Sequence, residues 1–200
     1  ARELEGYEAD DLIATYARQA DALGARVTIV SSDKDLMQLV TDRVVMLDTM
    51  KNKTMGLDAV QEKFGVGPER VVDVQSLAGD SVDNVPGAPG IGIKPAAQLI
   101  NEYGDGETLL IRAEEIKQPK RRQTLLDNAE QVRISKTLVT LKDDVPVDVP
   151  IEDLVVQDPD PKTLIAFLEA MEFRTITRRV SEKYQAEGEI EDQAVAHGDA

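Results

Sequence analysis

The alternation of apolar and polar residues predicts helices and short strands that follow one another in the first part of the chain. Apolar residues recur at helical spacing between residues 8 and 23, and Gly24 follows as a stop signal. A β-branched run at 26–32 then predicts a buried strand, and residues 44–48 predict a second one. This order of helix, glycine turn and strand is typical of an α/β domain built on a parallel sheet.

Helical spacing continues further along the chain, interrupted by polar segments. We expect a short helix at 33–40 and a basic turn or hairpin at 51–55. The segment 143–161, rich in Pro and Asp, is expected to be extended or loop. The same apolar spacing predicts further helices at 57–64, 68–79, 94–103, about 106–116, 120–141, 162–173 and 174–184.

A change of character at residue 80 divides the chain. Residues 80–92 are dense in Gly, Pro and Asp, and helical patterns dominate after them. We therefore expect an α/β part at 1–79, an all-helical part at 80–180 and an acidic tail at 181–200. The tail is polar and acidic, and from about residue 185 it is expected to be disordered.

Composition excludes several classes of protein. Hydrophobic residues make up 42 % of the 200 residues, which is enough for a core, and the absence of Cys excludes disulfides, thiolate zinc sites and Cys nucleophiles. No apolar run approaches the roughly 20 residues of a membrane span, and no secretory signal opens the chain. A cytoplasmic protein is therefore expected. Because the sequence begins abruptly with Ala rather than Met, we expect a fragment of a longer protein.

The net charge of −15 argues against a general nucleic-acid binder, whose usual surface is basic. The acids are unevenly distributed, however, and many of them fall in three tight clusters. Clustered carboxylates are either metal ligands or solvated surface. If metal ions occupy them, the local charge changes sign.

The first two clusters lie at the ends of predicted elements. Glu8 and Asp11 are three residues apart and share one face of the first helix, whereas Asp10 points elsewhere. Asp33 and Asp35 directly follow the first strand, and in open parallel sheets ligands bind at the carboxyl ends of strands. The alternatives are acids favoured by the helix dipole in the first case, and a helix cap with a surface acid in the second.

The third cluster holds Asp80 and Asp83, again three residues apart, and a loop of solvated polar residues is its alternative. Taken together, the three clusters favour a metal site. The chain has no Cys, and its single His lies in the tail, so the candidate ligands are carboxylate oxygens. Such ligands indicate Mg²⁺ or Mn²⁺ rather than zinc. Several carboxylates around two ions about 3.5–4 Å apart form the usual site for phosphodiester hydrolysis.

A glycine-rich segment follows the third cluster and precedes a predicted helix. Glycines let backbone N–H groups approach a phosphate closely, and the helix N-terminus and a lysine favour its charge. The alternative is a tight turn between helices; neither a dinucleotide-binding fingerprint nor a P-loop is present. The candidate DNA contacts are Gly87, Gly90, Ile91, Gly92 and Lys94.

Four motifs in this order resemble the 5′–3′ exonuclease domain of bacterial DNA polymerase I, within the wider flap endonuclease family. They are Gly-Tyr-Glu-Ala-Asp-Asp-Leu (6–12), Ser-Asp-Lys-Asp-Leu (32–36), Gly-Asp-Ser-Val-Asp-Asn-Val-Pro-Gly (79–87) and Gly-Ile-Gly-Ile-Lys (90–94). The resemblance covers about residues 4–180. It implies a truncated PIN-like (resolvase-like) α/β core, followed by a helix–hairpin–helix subdomain that binds DNA.

The resemblance also implies roles for the clustered acids. Ligands of a first metal and its neighbourhood would be Glu8, Asp10, Asp11, Asp33 and Asp35, and those of a second metal Asp80 and Asp83. Residues 84–103 would grip the duplex and, as in relatives, hold K⁺. The substrate would be a 5′ flap or a nicked or gapped duplex, and the parent chain would carry a polymerase domain and lie with the nucleoid.

Two departures from the family keep alternatives open. The family's domain begins well before this chain does, with further strands, two more metal-binding aspartates and a basic gateway for the 5′ strand. Pro95 also stands where relatives often carry Thr. The alternatives are a DNA-binding module without catalysis, and an acidic structural protein with solvated clusters. Exposed sheet edges would also permit a dimer.

The remaining basic residues give weaker predictions. Lys51 and Lys53 are either DNA contacts or part of an exposed turn. A helix face, solvated or in contact with DNA, is predicted for Lys120, Arg121, Arg122, Arg133 and Lys136. His197, in the tail, is assigned no role.

Overall fold

The computed structural model describes residues 2–196, and side chains are described for residues 2–185. The chain divides into two units, the first ending at Ile151 and the second beginning at Glu152. Both the sheet and the acidic clusters lie in the first unit. Within the described residues, we find no helix with the length and apolar character needed to cross a membrane.

A three-stranded sheet forms one side of the first unit, with the strands in sequence order: β1 (Val27–Val30), β2 (Val44–Asp48) and β3 (Lys53–Met55). β1 and β2 are parallel, as predicted, but β2 and β3 are antiparallel. The sheet is mixed because only a short turn joins β2 to β3. A turn of this length closes a hairpin, whereas a parallel pair needs a long crossover. The predicted hairpin at 51–55 is therefore confirmed.

The described residues of the first unit also form seven α-helices. They are α1 (Ala9–Ala22), α2 (Leu57–Phe64), α3 (Val71–Ala78), α4 (Ile93–Tyr103), α5 (Gly106–Ile111), α6 (Pro119–Asp127) and α7 (Ala129–Val139). Short 3₁₀ turns occupy Asp35–Leu39, Pro68–Arg70, Ala113–Glu115 and Ile151–Asp153. α3 packs against both α4 and α7, and its Leu77 is fully buried.

The predicted helix at 120–141 is two helices. Asn128 leaves the helical conformation, with φ −120°, and its side-chain amide donates to the carbonyl of Thr124 at 2.8 Å. Asn competes for backbone groups in this way, so a helix can end there without Gly or Pro. Similarly, the segment predicted as one helix at 106–116 ends its α-helix at Ile111.

The second unit contains α8 (Pro161–Ala170) and α9 (Arg174–Ala196). Asp160 caps α8 by accepting from the backbone N–H of Thr163 at 2.9 Å. The sequence predicts disorder from about residue 185, whereas the backbone of α9 continues to Ala196. Its sequence is rich in Ala, Glu and Gln, which are good helix formers. His197 lies outside the described residues.

A buried carboxylate links three helices of the first unit. Asp73 on α3 accepts from the Lys136 ammonium of α7 at 2.8 Å, and the Arg70 guanidinium lies 3.5 Å away. Its side chain is only 5 % exposed and lies against Gly106 at the start of α5. A buried charge needs such partners, because without them its desolvation would destabilise the fold. The predicted solvated helix face of Lys136 is therefore partly an internal contact.

The loop that carries Asp80 closes through two glycines. Asp80 and Val85 exchange backbone hydrogen bonds of 2.9 and 2.7 Å. Gly79 and Gly87 have φ values of +70° and +58°, and a Cβ on Gly87 would lie 2.4 Å from the Gly79 nitrogen. No side chain fits between these two backbones, so both positions require glycine.

Replacing Lys136 by Met should destabilise the first unit. Asp73 would keep only the longer Arg70 contact, and we expect a loss of about 1–2 kcal/mol in the free energy of unfolding. Urea denaturation followed by circular dichroism measures this loss. Lys142→Met is the matched control, because Lys142 pairs with Asp144 at the exposed surface and should leave the midpoint unchanged. Equal effects of the two substitutions would contradict the role given to Asp73.

A second substitution tests the glycine closure. Gly87→Ala should cost about 3 kcal/mol or more, since positive φ and a backbone clash act together. Gly90→Ala is the control: Gly90 also has positive φ, but a Cβ there meets no atom within 4 Å. It should cost only the strain, about 1 kcal/mol. Similar unfolding free energies for the two variants would rule out the close approach.

Candidate metal centre

The chain after β1 presents Asp35 through local hydrogen bonds. The backbone N–H of Asp33 donates to Ser31 Oγ at 3.0 Å, and the Asp33 carboxylate accepts from the backbone N–H of Asp35 at 3.0 Å. Asp33 therefore stabilises the segment that leads into the 3₁₀ turn on which Asp35 lies. The cap position of that turn is Lys34, without a side-chain cap hydrogen bond.

Gln38 ties this turn to the end of α7. Its amide nitrogen donates to the carbonyl oxygens of Asp35 and Val139 at 3.0 and 2.9 Å. Its amide oxygen accepts from the backbone N–H of Leu141 at 3.2 Å. One side chain thus fixes the position of Asp35 relative to the helical part of the first unit.

Asp35, Asp80 and Asp83 form the acidic centre of the molecule. Each offers a carboxylate oxygen, and these three oxygens lie within 4.8 Å of one another. Asp80 is buried, Asp35 is partly buried and Asp83 is exposed. The fold therefore brings together the second and third sequence clusters, and one side of the group is open to solvent.

The electrostatics of Asp80 are governed by Lys34. The Lys34 ammonium donates to the Asp80 carboxylate, which is the main reason that the pKa of Asp80 lies below its usual value. Burial lowers the pKa of Lys34, but the hydrogen bond and the charge of Asp80 outweigh it, so the pKa is raised. A cation is thus already drawn to the carboxylates, and Asp80 is ionised.

Gln75 on α3 is a hydrogen-bond partner of the Asp35 carboxylate. Its amide nitrogen donates to an Asp35 oxygen, and its side chain is almost completely buried. Burial raises the pKa of Asp35; the Gln75 hydrogen bond opposes this, while the charge of Asp33 adds to it, so the pKa is raised. The amide oxygen of Gln75 is buried and has no hydrogen-bond partner among the residues that the structure describes.

The first cluster divides between structural and electrostatic roles. Asp11 accepts from the backbone N–H of Glu8 at 3.2 Å and from that of Lys142 at 2.9 Å, so both of its oxygens are used. The pKa of Asp10 is raised, first by burial and then by the negative charges of Asp33, Glu8 and Asp35. Asp10 therefore lies within electrostatic range of Asp33 and Asp35, while Glu8 is exposed at the start of α1.

The donor set fits a hard divalent cation. Three converging carboxylates supply anionic oxygens, and the paired Lys34 ammonium shows that the group accepts positive charge. Mg²⁺ and Mn²⁺ prefer such oxygen ligands, whereas zinc usually takes nitrogen or sulfur as well. Asp33 adds negative charge near Asp35, and the charges of both act on Asp10.

The glycine-rich segment presents only part of its predicted contacts to solvent. Gly90, Gly92 and Lys94 are exposed, and a Cβ at either glycine would meet no atom within 4 Å. Ile91 is buried. Gly87 is also buried: its N–H donates to Ser135 Oγ at 3.0 Å and its carbonyl accepts from Gln131.

Sequence patterns did not indicate several residues of this centre. Lys34 stands between two aspartates, and its contact with Asp80 connects segments that are 46 residues apart. Gln38 and Gln75 resemble ordinary helix positions, because nothing local marks their long-range hydrogen bonds. An amide at a core-facing helix position was the one available signal for Gln75.

Two family models cover most of the chain. Residues 1–65 match "5′-3′ exonuclease, N-terminal resolvase-like domain", and residues 66–162 match "5′-3′ exonuclease, C-terminal SAM fold". The sheet and the Asp35 turn lie in the first match, and Asp80, Asp83 and the glycine-rich segment in the second.

Curated relatives agree with these models. DNA polymerase I of Rhizobium leguminosarum is 57 % identical over 193 residues, which are 96 % of this chain and 19 % of the relative. A 5′-3′ exonuclease of Aquifex aeolicus is 36 % identical over 92 % of this chain and 62 % of its own length. The chain thus spans about a fifth of the polymerase and under two thirds of the exonuclease.

Solved structures show the same fold. The T5 D15 protein co-crystallised with metal ions has a TM-score of 0.65 and 26 % identity, over 70 % of this chain and 52 % of that one. The catalytic core of Rad2 in complex with DNA substrate is 17 % identical and has a TM-score of 0.54, over 82 % of this chain and 57 % of that one. With both family models matched in succession, the chain belongs to the 5′–3′ exonuclease family.

Proposed function

We propose that this chain is part of a metal-dependent 5′–3′ exonuclease and flap endonuclease that hydrolyses DNA phosphodiester bonds. The observation that carries the proposal is the group formed by Asp35, Asp80 and Asp83, open to solvent on one side. Cleavage would leave a 5′-phosphate and a 3′-hydroxyl. A relative named 5′-3′ exonuclease and the likeness to the metal-containing T5 D15 protein support it.

Mg²⁺, with Mn²⁺ as a substitute, is the proposed cofactor. Asp35, Asp80 and Asp83 would hold one ion, and Asp10 and Asp33, with Glu8 nearby and Asp35 shared, would hold a second. When bound, divalent ions activate water and stabilise negative charge on a phosphate. Asp11 would act mainly by holding the start of α1, since its oxygens accept backbone hydrogen bonds.

The chain's own residues prepare this centre for a cation. Lys34 keeps Asp80 ionised, which is the form that binds metal. Gln75 orients Asp35 and opposes the effect of its burial. Such outer partners of ligands usually affect metal affinity strongly.

DNA would lie along the glycine-rich segment. Residues 84–103 form the proposed helix–hairpin–helix element, in which Gly90, Gly92 and Lys94 approach one duplex backbone and a K⁺ ion is held. Gly87 and Ile91 would shape the segment from inside. Residues 1–79 would supply catalysis, 80–180 the grip on DNA, and 181–200 a link to the rest of the parent chain.

The parent protein would act in replication and repair. Its proposed substrates are 5′ flaps and nicked or gapped duplexes, and its chain would include a polymerase domain, as the names of the relatives suggest. Such a protein would lie in the cytoplasm with the nucleoid.

One observation favours a second candidate function, a DNA-binding module without cleavage. The exposed surface of Gly90, Gly92 and Lys94 contains no residue of the carboxylate group. It can therefore grip a duplex whether or not metals bind.

Removal of two carboxylates tests the nuclease proposal. The double variant Asp80→Asn and Asp83→Asn should lose Mg²⁺-dependent cleavage of a labelled 5′-flap duplex by more than about 100-fold, because two of three ligands lose their charge. Isothermal titration with Mn²⁺ should show the loss of metal binding separately. EDTA should reproduce the loss of cleavage in the unchanged chain.

The matched control is Asp58→Asn, an exposed acid at the start of α2. It should cleave and bind Mn²⁺ like the unchanged chain. Duplex binding without cleavage in the unchanged chain would favour the second candidate function. The absence of both duplex binding and cleavage would refute both candidate functions.

Substitution of Lys94 tests the grip on DNA. Lys94→Ala should raise the dissociation constant for flap duplex about three- to tenfold, uniformly across sequences, and reduce the salt slope by about 1. Fluorescence anisotropy in EDTA measures both. Lys162→Ala, at the start of α8, is the control; an equal loss of affinity there would mean that the effect reflects net charge alone.

A further inference from the structure

A pocket of about 330 Å³ lies between the β2–β3 hairpin and α2. Three lysines line it, Lys51 and Lys53 from the hairpin and Lys63 from α2. We refer to it as the lysine pocket. Met37 and Met55 also line it, so apolar surface stands beside the three ammonium groups.

The charges in the lysine pocket do not cancel. Lys51 lies 3.5 Å from the buried Asp48, and Lys53 lies 3.8 Å from the exposed Glu62. In the described part of the chain, no carboxylate lies within ion-pair distance of Lys63. Three cations and two acids leave a net positive charge, in a chain whose overall charge is −15.

The surroundings of Lys63 show the same excess of positive charge. Its pKa is lowered, first by burial and then by the positive charges of Lys34 and Lys51. A neighbouring like charge disfavours the charged form of a lysine, and Lys34 and Lys51 are close enough to Lys63 to do so. An anion in the pocket would relieve the repulsion among these lysines.

The lysine pocket adjoins the metal centre. Met37, one of its lining residues, lies on the same 3₁₀ turn as Asp35. Asp33 and Asp35 also act on the pKa of Lys63, although more weakly than the two lysines. The lysine pocket therefore lies beside the turn that carries Asp35.

We propose that the lysine pocket binds a backbone phosphate of the DNA. This phosphate is the neighbour, on the same strand, of the phosphate that reaches the carboxylate group. This inference rests on the proposed nuclease function. Lysine binds phosphate as a point charge, and the residues that line the pocket include no aromatic ring on which a base could stack. The contact is therefore to phosphate and carries no sequence preference.

Lys63→Gln tests the proposal, because among the described residues no carboxylate lies within ion-pair distance of this lysine, and glutamine keeps a long, polar side chain there. In EDTA, the dissociation constant of the whole 200-residue chain for a 5′-flap duplex should rise about three- to tenfold, with a salt slope lower by about 1. Lys63→Arg should retain most of the affinity. Lys117→Gln, at an exposed lysine outside the pocket, is the control and should bind like the unchanged chain.

The possible outcomes are distinguishable. Unchanged affinity and salt slope in Lys63→Gln would refute the lysine pocket, while cleavage by the unchanged chain would leave the nuclease function standing. If Lys63→Gln lost binding of inorganic phosphate but kept the same affinity for DNA, that result would also refute the proposal that the lysine pocket binds a DNA phosphate. Dependence of DNA binding on Lys63 in a chain that never cleaves would support the pocket and refute the nuclease. Mn²⁺ binding should persist in Lys63→Gln, because no proposed metal ligand is removed, and this separates the pocket from the metal centre.

Discussion

Mutual repulsion among carboxylates is the constraint on which this structure depends. Three oxygens of Asp35, Asp80 and Asp83 lie within 4.8 Å of one another. Like charges at such distances raise one another's pKa values and oppose the fold, unless neighbouring groups offset them. Lys34 supplies an opposite charge and Gln75 a hydrogen bond. The remaining negative charge is available to a cation from solvent.

The centre also requires two distant parts of the chain to be held together. Asp35 follows β1, whereas Asp80 follows α3, and the two meet only because the first unit folds as a whole. Gln38 connects the Asp35 turn to the end of α7, and Asp73 connects α3 to α7 through Lys136. A boundary at residue 79 therefore separates two sequence patterns but runs through the centre itself.

Local patterns predicted the parts of the fold that depend on local physics. The β-branched runs at β1 and β2, the hairpin after β2 and the helix at 57–64 are present as expected, because periodicity and turn residues largely determine such elements. The antiparallel third strand follows from the same short turn. The break at Asn128 and the full length of α9 were not predicted, since the first depends on a side-chain bond and the second on modest propensities added over many residues.

The sequence indicated which kind of ligands the centre contains, but not which of these side chains lie close together. Acids after a strand and after a helix indicate where ligands can lie, but spacing does not say which carboxylates face one another. Asp11 illustrates the limit: its spacing from Glu8 fits a ligand, yet its oxygens accept backbone hydrogen bonds, one of them from Lys142. Gly87 illustrates the same limit. It was predicted to contact DNA, but its backbone packs closely against Gly79 and is not part of an open surface.

Separation of charge would allow so acidic a chain to bind the proposed DNA substrate. A uniform charge of −15 would repel DNA from every direction, but the acids gathered at Asp35, Asp80 and Asp83 are the ones that a bound cation neutralises. Lys51, Lys53 and Lys63 converge on the adjoining pocket, so positive charge is concentrated where it can act locally. At physiological ionic strength the field of an exposed charge decays within about 8 Å, so the groups around a site affect it more than the net charge of the chain does. The arrangement of the charges is therefore a better guide to the proposed partner than the net charge is.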